Sequence, residues 1–469
     1  MTTLRSIGIH RARTEIRSYT EGLFMPTTPR QNTDVRSKIS RPKKALGRLL
    51  CWMLCLTGLL MAEAAAAQDW PMWRGPEQNG RAEAPGTFEG SPKLRIAWTR
   101  PLGTGYSSVS VVGDRAVTLF GDGETDILIA LDAEDGREVW RVPLGATYRG
   151  HSGSQDGPIG TPTIADGVVY AVGPRGKLAA VKLDTGEIVW TRDLPSDLGA
   201  KPPFYGFSTS PMPVGDVLLV QVGGSEGRSL CGLDKATGEL RWKAGEDSVS
   251  HQLPLLIDVE GKRQWLSVTD TQLTGVAPDS GQILWTHQHS PKPQYVPTYP
   301  QAVLVGEDHL LLAFEKQAEL FEMVAIEGEV FLGEVWRSAS LKDTEAVPIV
   351  DGGHLYGFNG KFLTCVERAT GREVWKSRPP GGRGLIWVDG HLVVFAPSGE
   401  LVVVEATPEA YREVTRIPVA EDGGLTPPSF AHGRLFVRNQ KIAAAIEIAS
   451  SAQESAAPPA PVSSSSDGR

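Results

Sequence analysis

Short apolar segments alternate with Gly- and Asp-rich turns along most of the chain. Eight times, a two-residue turn of Gly, Asp, Glu or His precedes a run of apolar residues, as at Asp166-Gly167 and His432-Gly433. Gly and Asp tolerate the positive φ that tight hairpin turns need. The Val, Leu, Tyr and Phe residues that follow favour β-strands. The pattern predicts an all-β protein made of repeated hairpins.

A longer motif is superimposed on these hairpins. Its clearest copies span Ala130–Trp140, Gly232–Trp242 and Cys365–Trp375, each with an acidic third residue, a Gly at the seventh position and a Trp at the end. Looser copies end in Gly186–Trp190, Gly281–Trp285 and Gly333–Trp336, and Trp98 matches the end alone. Successive Trp residues are 39 to 52 positions apart. That spacing matches the ~40–50 residues of a four-stranded propeller blade.

The motif predicts a structural role for its tryptophans. The acidic side chain and the Thr hydroxyl accept backbone N–H groups in a tight turn, where Gly takes the left-handed conformation. The Trp that follows falls on the outer strand, where its ring packs between neighbouring blades and contributes about 1.5–3 kcal/mol. The predicted docking residues are Trp98, Trp140, Trp190, Trp242, Trp285, Trp336 and Trp375.

The order of the units predicts how the ring closes. The eighth turn is followed by a strand near Ala443–Ile448 without a Gly–Trp ending, whereas the Trp98 ending precedes the first full unit. We therefore expect a strand at Leu94–Thr99 to complete the last blade and remove a free sheet edge. The predicted fold is an eight-bladed β-propeller of four-stranded antiparallel blades over residues 96–448. A leader segment at 68–95 precedes it, and a disordered Ser/Ala/Pro tail at 449–469 follows it.

Residues 1–67 predict an export signal. Basic residues precede an apolar run of 13 residues, Leu49–Met61, which is shorter than the ~20 residues of a membrane-spanning helix. Ala65–Ala67 then supply the small residues of a cleavage site before Gln68. We expect an exported chain with no transmembrane segment after cleavage. An uncleaved signal anchor is the alternative, and translation could start at Met1 or at Met25.

Composition restricts the class of binding partner, and the positions of the four cysteines restrict their chemistry. The chain is 41% hydrophobic, enough for a core, and its 52 Gly and 34 Pro follow no triplet period. Residues 68–469 hold 36 basic and 51 acidic side chains, a balance that repels nucleic-acid phosphates.

Cys51 and Cys55 lie in the predicted export signal. Cys231 and Cys365 are expected to be buried apolar residues first, a disulfide second and a catalytic thiol last.

The Trp-ending repeats over residues 96–448 resemble the tryptophan-docking repeats of pyrroloquinoline-quinone (PQQ)-like propellers. That superfamily includes quinoprotein alcohol dehydrogenases and BamB-type outer-membrane assembly factors. The segment Asp69–Pro76 is similar to a leader of exported propellers from planctomycete-type bacteria. The resemblance implies a scaffold that enzymes and non-enzymes share.

The two branches of this superfamily imply two functions. Quinoprotein dehydrogenases typically hold PQQ under a disulfide of adjacent cysteines and bind calcium through Glu, Asn and Asp, but this chain has no adjacent Cys pair. BamB-type factors imply a ring that binds proteins, although the lipidation Cys that normally tethers them is missing here. We therefore expect a monomeric, non-enzymatic scaffold in the periplasm or envelope, with protein partners and no cofactor. The alternative is a dehydrogenase of alcohols or polyols that uses PQQ with calcium.

Any ligand is expected at the mouth of the central channel, where the innermost strands begin. The residues that precede these strands are more polar than the strands themselves. Our candidate binding residues are His251, Gln252, Glu345 and Arg383, because they place charge or imidazole where most blades offer hydroxyls or Gly. If PQQ binds, Arg383 would face its carboxylates and Glu345 would be a metal ligand or base. We assign no catalytic residue and no metal ligand otherwise.

Two histidine groupings suggest metal sites but are better explained by the repeats. His287 and His289 alternate on one strand, yet the sequence places no carboxylate or Cys beside them. His309, His354 and His391 occupy the same slot after the hairpin turn in three different units. We expect all five to be surface residues.

Two loops suggest other chemistry. Residues 150–157 bring Ser, His and Asp close together, and Gly381–Gly384 is rich in glycine. Neither has the strand–turn–helix context that a nucleophile or a phosphate loop requires. We expect polar loops between blades.

Overall fold

The computed structural model describes residues 68–90, 92–224, 227–248, 251–269, 271–289, 301–314, 316–326, 329–342, 347–382, 384–424 and 426–449. These residues belong to one compact unit, Leu59–Arg469, and the other unit, Met1–Gly58, lies outside them. The candidate residues Glu345 and Arg383, the export signal and the tail from residue 450 also fall outside the described residues. Within the described ranges, no helix is long and apolar enough to cross a membrane.

Two strands precede the first complete sheet, β1 (Arg81–Ala82) and β2 (Lys93–Pro101). Blade 1 contains β3 (Ser110–Val112), β4 (Arg115–Gly121), β5 (Thr125–Asp132) and β6 (Glu138–Ala146). Blade 2 contains β7 (Thr163–Ala165), β8 (Val168–Val172), β9 (Lys177–Lys182) and β10 (Ile188–Asp193), and the short helix α1 (Leu194–Leu198) follows it. Blade 3 contains β11 (Met212–Val214), β12 (Val217–Gln221), β13 (Leu230–Asp234) and β14 (Leu240–Ala244). Blade 4 contains β15 (Leu255–Val259), β16 (Lys262–Val268), β17 (Gln272–Val276) and β18 (Ile283–Gln288).

The remaining blades continue in chain order. Blade 5 contains β19 (Gln301–Leu304), β20 (His309–Ala313), β21 (Ala318–Ile326) and β22 (Glu329–Ser338). Blade 6 contains β23 (Ile349–Asp351), β24 (His354–Asn359), β25 (Phe362–Glu367) and β26 (Glu373–Ser377). Blade 7 contains β27 (Leu385–Val388), β28 (His391–Phe395), β29 (Glu400–Glu405) and β30 (Glu413–Pro418). Blade 8 contains β31 (Ser429–Ala431), β32 (Arg434–Arg438) and β33 (Ile442–Ala449).

The sheets confirm the predicted all-β, eight-bladed propeller. We call the first strand of each blade the inner strand and the strand at the other edge of its sheet the outer strand. Neighbouring strands of a blade are antiparallel. The sheet of blade 8 takes its outer strand from β2, which pairs with β33. The sheet of blade 7 has an additional strand, because β1 pairs with the inner strand β27 in parallel. We call the end at which the inner strands begin the upper face, and the opposite end the lower face.

The core lies between the blades. Middle strands such as β5 and β29 are buried on both faces, because each blade is flanked by two others. Between blades 1 and 2, for example, Leu128 packs with Val169 and Val181, and all three side chains are fully buried. Double-sided burial explains why these strands are continuous apolar runs rather than alternating ones.

The repeated turns form on the lower face. In the first copy, Asp132 Oδ1 accepts the backbone N–H groups of Glu134 and Asp135 at 2.9 and 3.3 Å, and Gly136 has a φ of 72°. The matching Trp of the preceding blade lies against this turn and donates its indole N–H to a turn carbonyl. These pairs are Trp98–Ala133, Trp140–Leu183, Trp190–Lys235, Trp242–Pro278, Trp336–Arg368 and Trp375–Thr407.

Blade 5 departs from this arrangement. Gly333, which the sequence suggested as a motif glycine, lies inside β22 opposite Glu322 and forms no turn. The preceding Trp285 therefore has no motif turn to meet, and its indole N–H donates instead to Gln264 Oε1 of its own blade at 2.7 Å. The motif at Gly333 was wrongly assigned, because the long hairpin of β21 and β22 replaces the turn.

Candidate functional site

Hydroxyl side chains at the upper mouth of the channel are bonded to neighbouring blades. Ser110 Oγ donates to the Pro162 carbonyl at 2.6 Å, and Ser429 Oγ donates to the Val109 carbonyl at 2.6 Å. The backbone N–H of Ser108 donates to Thr161 Oγ1 at 3.0 Å. These polar residues link blades 8, 1 and 2.

A buried arginine supports the same region. Arg438 on β32 is 2% exposed and donates to the carbonyls of Ser107, Gly103 and Thr104 at 3.1 to 3.3 Å. Burial lowers the pKa of this guanidinium to about 9. Arg438 was not singled out from the sequence, because its role depends on loops more than 300 residues away.

The structure places the candidate residues His251 and Gln252 in the loop before β15, on the upper face. Gln252 is buried, with 9% exposure. The backbone N–H of Tyr205 donates to His251 Nε2 at 3.4 Å, so the other ring nitrogen, Nδ1, carries the proton and donates to Ser208 Oγ at 2.8 Å. Burial lowers the pKa of His251 to about 4. His251 is therefore a neutral ring that connects the loop before blade 4 to the loop before blade 3.

His251 adjoins a group of rings that we call the upper aromatic cluster: Tyr148, His151, Phe204, Tyr205 and His251. His151 meets Phe204 edge-on at 4.7 Å and stacks on Tyr205 at 5.5 Å, and Tyr205 lies 5.5 Å from His251. His151 Nε2 donates to the Phe204 carbonyl at 2.8 Å. Phe204 is nevertheless 41% exposed. The loops before blades 2, 3 and 4 thus converge on one fixed, partly exposed aromatic surface.

A buried carboxyl supports the base of the first of these loops. Asp126 on β5 is 2% exposed, and its Oδ2 accepts the backbone N–H of Tyr148 at 3.0 Å. Among the described residues, neither Asp126 Oδ1 nor the nearby Thr147 Oγ1 has a hydrogen-bond partner. Burial raises the pKa of Asp126 to about 6. The carboxyl is therefore poised to change its charge at mildly acidic pH.

The remaining sequence candidates are loop and strand residues. In the loop of residues 150–157, Asp156 pairs with Arg149 at 2.6 Å instead of with His151, so no catalytic triad forms there. His287 lies against Phe321 at 5.6 Å, and His289 Nε2 bonds to the Thr269 carbonyl at 3.0 Å. The histidines at 309, 354 and 391 begin β20, β24 and β28, in three different blades.

The described residues lack the paired cysteines of the quinone site that the resemblance implies. Cys231 in blade 3 and Cys365 in blade 6 are free and buried, and burial raises their thiol pKa to about 12 and about 11. In the described part of the chain, no three His, Cys, Asp or Glu side chains are grouped to hold a metal ion. The adjacent-cysteine disulfide of those dehydrogenases therefore has no counterpart among the described residues.

Apart from His251, sequence reasoning missed the members of the upper aromatic cluster. Its members come from three loops separated by about 50 residues each, and no local spacing predicts that they meet. The one available signal was Pro202-Pro203-Phe204-Tyr205, two adjacent rings in a loop with no apolar strand pattern.

Comparison with known proteins agrees with this architecture. A family model described as outer membrane protein assembly factor BamB matches residues 90–200 and 174–410. BamB of Alkalilimnicola ehrlichii is 28% identical over 199 residues, 42% of this chain and 46% of that protein. BamB of Shewanella oneidensis is 24% identical over 302 residues, 61% of this chain and 68% of that protein. The chain thus spans less than half of the first of these relatives.

Solved structures show the same fold. BamB from Moraxella catarrhalis has a TM-score of 0.57 at 16% identity, covering 76% of this chain and 100% of that chain. A quinohemoprotein alcohol dehydrogenase from Comamonas testosteroni has a TM-score of 0.60 at 12% identity, covering 83% and 82%. The eight blades and their Trp-to-turn contacts define a propeller of the PQQ-like type. Within that class, the chain belongs to the BamB family of outer membrane protein assembly factors.

Proposed function

We propose that this protein is a non-enzymatic scaffold of the cell envelope that binds protein partners through the upper aromatic cluster. The observation that carries the proposal is the convergence of rings from three inter-blade loops around Phe204, which is 41% exposed. Aromatic residues are enriched at protein interfaces, where rigid rings bury large areas at low entropic cost. The hydrogen bonds of His151 and His251 hold these loops in place before a partner binds.

The family supports the location and the class of partner. Its relatives are named outer membrane protein assembly factors, so we propose that residues 1–67 direct export, with cleavage near Ala67. The partners proposed for the propeller, residues 96–448, are outer-membrane proteins or the machinery that assembles them. We propose that the scaffold acts as a monomer.

The candidate channel-mouth residues belong to the same proposal. His251 positions Tyr205 by accepting its backbone N–H, and Gln252 follows in the same loop. We propose that Glu345 and Arg383, which precede the inner strands of blades 6 and 7 in the sequence, add charge to this rim. A partner would then meet charged groups as well as aromatic rings.

Site-specific photo-crosslinking tests the proposal. A photoreactive phenylalanine analogue is placed at Phe204 of the full chain in the producing cells, and crosslinked proteins are identified by mass spectrometry. The matched control is Phe331, 44% exposed at the lower end of blade 5. We expect position 204 to capture outer-membrane proteins or their assembly machinery in several-fold higher yield than position 331. Equal yields at the two positions would contradict the proposal.

A further inference from the structure

Residues 68–90 of the leader segment, which we call the leader, lie along the inner strands of the propeller. Its backbone bonds to inner strands on several sides. Trp70 and Val111 of blade 1 exchange two hydrogen bonds of 2.8 Å, and the Ile164 N–H of blade 2 donates to the Pro71 carbonyl at 2.8 Å. In blade 7, the N–H groups of Trp387 and Asp389 donate to the carbonyls of Gly80 and Ala82 at 2.8 and 3.2 Å, and in blade 8 the His432 N–H donates to the Gln68 carbonyl at 3.4 Å.

Polar side chains of the leader bond to two further blades. Gln78 Nε2 donates to the Pro254 carbonyl at 3.1 Å, and its Oε1 accepts the Leu256 N–H at 3.4 Å, both at blade 4. Arg81 donates to the Val350 carbonyl at 2.7 Å, at blade 6. The Arg81 guanidinium also lies 3.7 Å above the ring of Trp387 in blade 7. The leader therefore contacts blades 1, 2, 4, 6, 7 and 8.

Arg74 is the central anchor of the leader. It is 2% exposed, and its guanidinium donates to the carbonyls of Val347 and Pro348 before blade 6 at 3.1 and 3.0 Å. The same group donates to the carbonyls of Gln78 and Asn79 at 3.3 and 2.7 Å. One side chain thus fixes the turn of the leader and joins that turn to the ring.

The spacing of the motif Asp69–Pro76 follows from this packing. The Trp70 ring is fully buried and lies over Gly75, where a Cβ atom would come within 3.0 Å of the ring. Gly75 also has a φ of 79°, a conformation that favours glycine. Asp69 Oδ1 accepts the Gly113 N–H of blade 1 at 2.9 Å. The contacts of Asp69, Trp70, Arg74 and Gly75 thus explain why the motif has these residue types at these positions.

We propose that the leader is a resident strap, which ties the inner strands of six blades together through the anchors Trp70 and Arg74. Strand addition at exposed sheet edges is an established mode of peptide binding, and here the chain supplies the peptide itself. Between the strap and the inner strands of blades 4 to 6 there remains a cavity of about 360 Å³. The role goes beyond partner binding, which is proposed for the upper aromatic cluster.

Hydrogen exchange of the full chain, measured by mass spectrometry, tests the strap. In Arg74→Ala, the amides of Ile164, Trp387 and Asp389 should exchange at least about tenfold faster, because their protection then depends on a leader that opens locally. Amides of the double-sided strands β5 and β29 should keep wild-type rates. The matched control is Glu77→Gln, an exposed leader position, which should change neither group. Wild-type protection of the three amides in Arg74→Ala would overturn the proposal.

A second measurement does not depend on the folding of a variant. A protease site inserted after Gly90 allows the leader to be cut once the ring has formed. The proposal requires the cut leader to co-elute with the propeller in size-exclusion chromatography and to separate only at denaturant concentrations that unfold the blades. Separation immediately after cutting, without denaturant, would show that the leader is not a strap.

Discussion

The indole of Trp140 in blade 1 lies across the backbone of Gly186, the turn glycine of blade 2. A Cβ atom at Gly186 would stand 2.7 Å from the ring, and the indole N–H donates to the Leu183 carbonyl of the same turn at 2.7 Å. Two features therefore require glycine at position 186: its φ of 72° and the Trp140 ring above it. Each such contact therefore joins two neighbouring repeats, because one supplies the Trp and the next supplies the turn glycine.

Gly186→Ala should lower the free energy of unfolding by about 2–4 kcal/mol, because backbone strain adds to overpacking against Trp140. The control is Gly167→Ala, which has a φ of 73° but no atom within 4 Å of the added Cβ. Gly167→Ala should lower the free energy of unfolding through backbone strain alone, by about 1 kcal/mol. Urea unfolding midpoints measure both variants. Equal losses would show that the Trp-to-glycine contact does not contribute.

The contrast between blades 2 and 5 shows what the sequence could predict about the fold. The hairpin turns and the motif glycines at 136, 186, 238, 281 and 371 were visible as local patterns, and all five glycines take a positive φ. Gly333 stands three positions before Trp336, whereas each of the other five glycines stands four positions before its Trp. The acidic residue four positions before the glycine does not explain the difference, because Glu329 holds that place before Gly333 and Lys182 holds it before Gly186.

The candidate site was less accessible to sequence reasoning. His251 was selected because it precedes an inner strand, and the structure adds that it fixes Tyr205. The partners of His251, namely Ser208 and the Tyr205 backbone, lie in the loop before blade 3, about 45 residues earlier. The leader was recognised as a motif, but its path depends on contacts with residues up to about 360 positions later, such as the bond between His432 and Gln68.

Asp126 should make the fold less stable as the pH rises, whereas most carboxyl groups in folded proteins have the opposite effect. Its folded pKa of about 6 lies above the ordinary value of ~3.9, so the folded state binds the proton more tightly than the unfolded chain. The stabilisation is complete below about pH 4 and is lost as the pH rises through about 6. Asp126→Asn should therefore be more stable than the wild type at pH 7.5, by up to about 3 kcal/mol. Urea titrations at pH 4 and 7.5 give the comparison.

Asp156→Asn is the matched control for Asp126. Its hydrogen bond from Arg149 lowers the pKa of Asp156, so that carboxylate stabilises the fold above its ordinary pKa and stops doing so as the pH falls. The variant should be slightly less stable than the wild type at pH 7.5, the opposite sign to Asp126→Asn. If both variants shifted stability in the same direction, burial of Asp126 would not be the cause.

His251 should contribute stability only while its ring is neutral. Its folded pKa of about 4 lies below the ordinary ~6.5. The contribution is therefore complete above about pH 6.5 and is lost as the pH falls through about 4. His251→Gln should reduce the loss of stability between pH 7 and pH 4.5. Urea midpoints at the two pH values measure this, and an unchanged slope in His251→Gln would contradict it.

Calorimetric titration with PQQ, with and without calcium, should give no binding heat. Ser110 and Ser429 at the upper mouth are already bonded to neighbouring blades, and the Arg438 guanidinium donates to backbone carbonyls. A carboxylate-rich quinone would therefore have to break existing contacts to bind there. Saturable heat with a raised melting temperature would contradict the scaffold proposal and support a quinoprotein dehydrogenase. In that case, weaker binding by Arg383→Ala would locate the quinone at the predicted channel mouth, and unchanged affinity would exclude Arg383 from its site.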